Sequence, residues 1–83
     1  MLITIKLFAS LDKYLPDGAV KNQVPMTVEE GVTVLDVIKS LKLPQEHCHL
    51  VLIDGVYVAP TERETRIMAE GEALAIWPPV AGG

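Results

Sequence analysis

The stretch Leu74-Ala75-Ile76-Trp77-Pro78-Pro79-Val80-Ala81-Gly82-Gly83 decides how this sequence is read. Its first four residues are an apolar strand that buries Leu74 and Ile76 and turns Ala75 and Trp77 the other way. Proline fixes φ and carries no N–H, so Pro78-Pro79 forces the chain out of any sheet as a stiff extended stub. Gly82-Gly83 then leaves bare backbone and, at the terminus, a free carboxylate. Chain ends commonly fray, so the glycine pair gains meaning only from the stub and the strand before it. Such a tail, residues 79–83, is expected to be flexible. It suits threading a narrow channel and presenting its carboxylate to chemistry on another protein.

Working outward, the strand needs a sheet, and the rest of the chain supplies one. Residues 2–8 alternate, with Ile3, Ile5 and Leu7 on one face and Leu2, Thr4, Lys6 and Phe8 on the other. Residues 9–21 form a long loop with a short helical turn, tacked down by Leu11, Tyr14 and Leu15. A second strand covers 22–29 with Val24, Met26 and Val28 inward, and Pro25 places it at an edge. Thr33 opens the main helix, with Asp36 three residues on as a capping-box variant. Val34, Val37, Ile38 and Leu41 make its buried stripe, and Pro44 is expected to stop it after Leu43. Leu50-Val51-Leu52-Ile53 is apolar on both faces, as an interior strand would be. Asp54-Gly55 turns the chain back through Val56-Tyr57-Val58. The segment 59–72 is irregular, with Ile67 and Met68 as anchors.

This order predicts one α+β domain over 1–83: a roll with a mixed sheet of four to five strands and one main helix on one face. Length agrees, since 83 residues leave no room for a second domain. The chain has seven basic and eleven acidic residues, a net charge of −4. That balance argues against nucleic acid as a partner. The single cysteine, Cys48, cannot form an internal disulfide, which suits a reducing cytoplasm. The apolar runs are too short to span a membrane, and the opening Met1-Leu2-Ile3-Thr4-Ile5-Lys6-Leu7 lacks the pattern of a signal peptide.

Motifs for catalysis are missing. His47-Cys48-His49 has the residue types of a metal site, but adjacent residues seldom converge on one ion and no further ligand set stands at zinc spacing, so no metal is expected. The sequence holds no phosphate-cradling glycine loop, carboxylate pair or Ser-His-Asp set. Glu29-Glu30 and Glu62-Arg63-Glu64 read as solvated faces.

Ile5-Lys6-Leu7-Phe8-Ala9, Leu52-Ile53-Asp54-Gly55, Glu70-Gly71-Glu72 and the ending Pro78-Pro79-Val80-Ala81-Gly82-Gly83 resemble the ubiquitin-like β-grasp sulfur carriers. These comprise the molybdopterin synthase small subunit (MoaD) and the thiamine carrier ThiS. The two prolines are closer to the molybdopterin branch. The resemblance implies a β-grasp fold and a carrier rather than an enzyme. An adenylating activating enzyme using ATP and Mg would convert the Gly83 carboxylate to an acyl-adenylate. A sulfur donor, such as a cysteine desulfurase or rhodanese, would then turn it into a thiocarboxylate. The molybdopterin synthase catalytic subunit, or a thiazole synthase, would receive the sulfur for molybdenum or tungsten cofactor or for thiamine. Gly82, Ala81, Val80, Pro79 and Pro78 would form the tail that enters each partner.

In a β-grasp sheet the first and last strands lie side by side, which would bring Phe8 and Trp77 together on the open face. Tyr57 could reach the same face, and the three aromatics would form a docking patch. Two other readings share the features: a protein modifier joined through Gly83 to target lysines, and a β-grasp interaction module whose tail is inert.

Overall fold

The computed structural model describes residues 1–79. It contains strands β1 (Leu2–Leu7), β2 (Gln23–Thr27), β3 (Leu50–Ile53), β4 (Val56–Tyr57) and β5 (Ala73–Trp77), and one α-helix, α1 (Val34–Ser40). Short 3-10 turns occupy Ala9–Tyr14, Gln45–His47 and Pro60–Glu62. The five strands form one mixed sheet in the order β2-β1-β5-β3-β4. The pair β1–β5 is parallel and the other neighbours are antiparallel. This is the expected α+β roll, with both chain ends feeding its centre.

Alternation sorts the side chains as predicted. Ile3, Ile5, Leu7, Val51, Ile53, Leu74 and Ile76 face the helix and are buried. Val34, Val37 and Ile38 cover them from α1, with Leu41 at the cap just past its end. Leu11, in the turn after β1, is fully buried, while Tyr14 and Leu15 pack partly against the core. β2 lies at the edge, where Pro25 opposite Thr4 costs the sheet little.

The start of α1 is locked twice. The Thr33 hydroxyl accepts from the Asp36 N–H at 3.1 Å, and the Thr33 N–H donates back to the Asp36 carboxylate at 3.0 Å. The Val34 and Leu35 N–H groups donate to the carbonyls of Arg66 and Arg63, so the segment after β4 serves as a second cap.

Four expectations need correction. The helix ends at Ser40, ahead of Leu43, and Pro44 is not what stops it. Lys42 takes a left-handed conformation, φ 60. The Lys42 N–H then reaches the Lys39 carbonyl and the Leu43 N–H the Ile38 carbonyl, a Schellman closure without the usual glycine. Ile67 is 53% exposed. Met68 is the anchor, bonded through its N–H to Val32, and alternation turns its neighbour out. Within Glu62-Arg63-Glu64, the two glutamates are exposed but Arg63 is 92% buried by its 8% exposure. β3 is interior in the sheet, yet Leu50 on its outer face is 37% exposed.

The hairpin is as read. Asp54 and Gly55 both have positive φ, 48 and 84, as a type I′ turn requires.

Candidate functional site

β5 is the central strand, and its last residue carries the site. Leu50 stands opposite Trp77, and the His49 N–H donates to the Trp77 carbonyl at 3.0 Å. Beyond β1, the Phe8 N–H donates to the Ile76 carbonyl. This bond holds Phe8 beside the end of β5, and its ring stacks on Trp77 with centroids 4.3 Å apart and planes 6° from parallel. Both rings are half-buried. Stacking of this kind contributes about 0.5–1.5 kcal/mol beyond area burial. It fixes two aromatic surfaces where the chain leaves the sheet.

The open face continues across the strands. Gln23, Lys6, Ala75, Leu52 and Tyr57 form one cross-strand row. Tyr57 therefore shares the face with Trp77 but lies two strands away, about 10 Å by strand spacing. It is 53% exposed and stands apart from the stacked pair. Between them Leu52, Ala75 and Ala73 floor a shallow cleft of about 310 Å³ closed by Phe8 and Trp77. A second hollow of about 460 Å³ follows the exit of the tail past Ser10, Leu50, Trp77, Pro78 and Pro79.

Ala75 falls on the outer face as its alternation predicts, whereas Leu50 and Leu52 are the members of this surface that sequence reasoning missed. Their signal was present in the apolar outer positions of β3, which were read as burial inside a sheet.

Pro78 is half-buried and Pro79 exposed. Val80, Ala81, Gly82 and Gly83, assigned to the tail from the sequence, lie outside the described residues. Cys48 is buried, and its Sγ donates weakly to the Pro44 carbonyl at 3.5 Å. Burial pushes its thiol pKa up, so it stays protonated and unreactive. His47 and His49 are exposed, and no group of metal-ligating side chains occurs among the described residues. No helix there is long and apolar enough to cross a membrane.

A family model described as Mut7-C ubiquitin matches residues 1–82. The chain belongs to that family. It is similar to the Haloferax volcanii protein SAMP1, with 27% identity, TM-score 0.71 and all of both chains covered. At 18% identity it shares its fold with two further proteins. One is the thiamine biosynthesis protein ThiS of Geobacter metallireducens, with TM-score 0.62 over 96% of this chain and 99% of that one. The other, from Pyrococcus furiosus, is assigned as molybdopterin converting factor, subunit 1, with TM-score 0.66 over 95% and 98%. No curated protein matches the sequence. The expected ubiquitin-like β-grasp fold is thereby shown, and the proteins ThiS and molybdopterin converting factor subunit 1, whose branches the turns and tail resemble, share it. The chain is thus a small ubiquitin-like domain of the Mut7-C ubiquitin family.

Proposed function

We propose that this protein is a sulfur carrier whose working group is the carboxylate of Gly83, and that catalysis resides in its partners. The observation that carries the reading is the stacked Phe8–Trp77 pair at the end of β5, where Pro78-Pro79 leads out of the sheet. A carboxylate is a poor electrophile until one oxygen becomes a leaving group. An activating enzyme with ATP and Mg would form the acyl-adenylate and release pyrophosphate. The terminal sulfur of a persulfide on a donor such as a cysteine desulfurase or rhodanese would displace AMP to give an acyl disulfide. A second thiol would cleave its S–S bond, releasing the thiocarboxylate and leaving a disulfide on the donor side. Phe8 and Trp77, with Tyr57 at the margin, would anchor the partner while Val80 to Gly83 enters its active site.

The acceptor we favour is the pterin precursor of the molybdenum or tungsten cofactor, held by a molybdopterin synthase catalytic subunit. The two prolines are the reason for preferring it over a thiazole synthase. The acidic balance and lone buried thiol suit a cytoplasmic protein.

A second reading is favoured by the 27% identity to SAMP1, whose name elsewhere is spelled out as small archaeal modifier protein 1. Gly83 would then form isopeptide bonds with lysines of target proteins.

Intact-mass spectrometry of protein purified from its source separates the two. A species ending at Gly83 and about 16 Da heavier, oxygen replaced by sulfur, supports the carrier. Conjugates linked through Gly83 support the modifier. A chain that continues past Gly83 in the cell removes both.

A further inference from the structure

On the opposite side of the sheet, a cleft of about 370 Å³ opens between α1 and the 3-10 turn Pro60–Glu62, lined by Leu35, Ile38, Gln45, Pro60, Arg63 and Glu64. Arg63 is 8% exposed, and its Nε and Nη2 are both buried without a hydrogen-bond partner. These two nitrogens form the side-on edge of the guanidinium, the edge that grips a carboxylate through two parallel hydrogen bonds. Its backbone is fixed, because the Arg63 carbonyl accepts from Leu35 at the start of α1 at 2.8 Å. The guanidinium cannot swing away with its loop unless the helix start comes undone.

A buried cation needs a counter-charge, and the chain supplies none among the described residues. The ion pair found there joins Arg66 to Glu72. Glu62 is engaged by the Ala59 N–H at 2.9 Å. Cys48 feels the charge of Arg63, but burial keeps its thiol neutral.

We propose that Arg63 anchors a binding site for a single carboxylate, reached from this cleft. The orphaned fork supplies two parallel donors, and a small turn of the guanidinium toward the cleft presents them. Gln45 offers an amide for a further hydrogen bond. Glu64 at the rim repels doubly charged anions, so a monocarboxylate fits better than phosphate. The site does not depend on the chemistry of the tail.

The Arg63 Nε–H resonance of the labelled full chain reports on the fork directly. Sodium acetate is titrated at constant ionic strength against sodium chloride. Acetyl-Gly-Gly and its C-terminal amide form a second arm. A saturable shift with acetate supports a site for free small carboxylates. One with acetyl-Gly-Gly alone, absent with the amide, supports a site for a peptide C-terminus. Arg63→Lys keeps the charge but loses the fork and the reporter. Followed through the backbone amides of Leu35 and Gln45 at the same cleft, it is expected to bind about tenfold more weakly than the wild type read the same way. Glu64→Gln is expected to leave it intact or tighten it. Absence of a saturable shift with every probe in the wild-type chain overturns the site. So does an Nε shift on Glu64→Gln without any probe that matches pairing of the two side chains.

Discussion

Phe8 and Trp77 come from opposite ends of the chain and stack within 6° of parallel, because the parallel pairing of β1 with β5 delivers both to one corner of the open face. Ile76, one residue earlier, points to the opposite side and is fully buried. A single strand thus divides between folding and surface along its alternation.

That division predicts a split between two alanine variants. Ile76→Ala removes a side chain from the core and is expected to cost about 2–5 kcal/mol. Trp77→Ala gives up a half-buried ring and the stack, and is expected to cost clearly less. If Trp77 anchors a partner, the same change weakens binding by at least about 2 kcal/mol. Thermal melts and titration against a catalytic subunit measure the two effects. Unfolding by Trp77→Ala with tolerance of Ile76→Ala would contradict the face assignment.

Phe8→Ala is expected to behave as Trp77→Ala does, and the two changes should not add. Each ring is the other's neighbour, so removal of one already forfeits the stack. A double-mutant cycle on stability should give a coupling of about 0.5–1.5 kcal/mol. Strict additivity would mean that the rings act independently in solution.

Acid should loosen the helix start. The Asp36 carboxyl is held below its ordinary 3.8 by the hydrogen bond from the Thr33 backbone, and then by the Thr33 side chain. Glu72 is held below 4.5, chiefly by its hydrogen bond from Arg66. Both folded-state values are depressed, so the folded chain binds fewer protons than the unfolded one near these values. The stabilisation is therefore complete above about pH 4–5 and is lost as pH falls through the folded values. Melting temperature against pH should fall less steeply over that range for Asp36→Asn and Glu72→Gln than for the wild type. Profiles parallel to wild type would show that these contacts do not persist in solution.

Much of this was legible because period and punctuation are local. Ile3-Ile5-Leu7 announces a one-sided strand, Thr33 and Asp36 a capped start, and Asp54-Gly55 a hairpin. What sequence concealed was settled by tertiary partners. Nothing near Lys42 marks a left-handed residue, since glycine is the usual sign and the closure rests on carbonyls one turn back. Arg63 sits in a charged run that reads as solvent-facing, and only the packing of α1 against 60–66 buries it. Leu50 and Leu52 have the composition of a covered strand, yet their outer face meets only neighbours in the sheet. The Phe8–Trp77 pair was reachable because strand order follows from the resemblance, while the separation of Tyr57 needed the register.

If the working group is the terminal carboxylate, length should matter more than stability. Deleting Gly83, or adding one residue after it, alters positions beyond the end of β5 at Trp77, so circular dichroism and melting should remain as in wild type. Complementation of a strain lacking the protein should fail in both cases, because the carboxylate would stand one residue short or beyond the reacting position. The untouched chain should also leave ATP unconsumed until an activating enzyme is added, since it carries no phosphate-binding loop. Full complementation by the Gly83 deletion, with its fold intact, would assign the function to the aromatic surface and leave the tail without a chemical role.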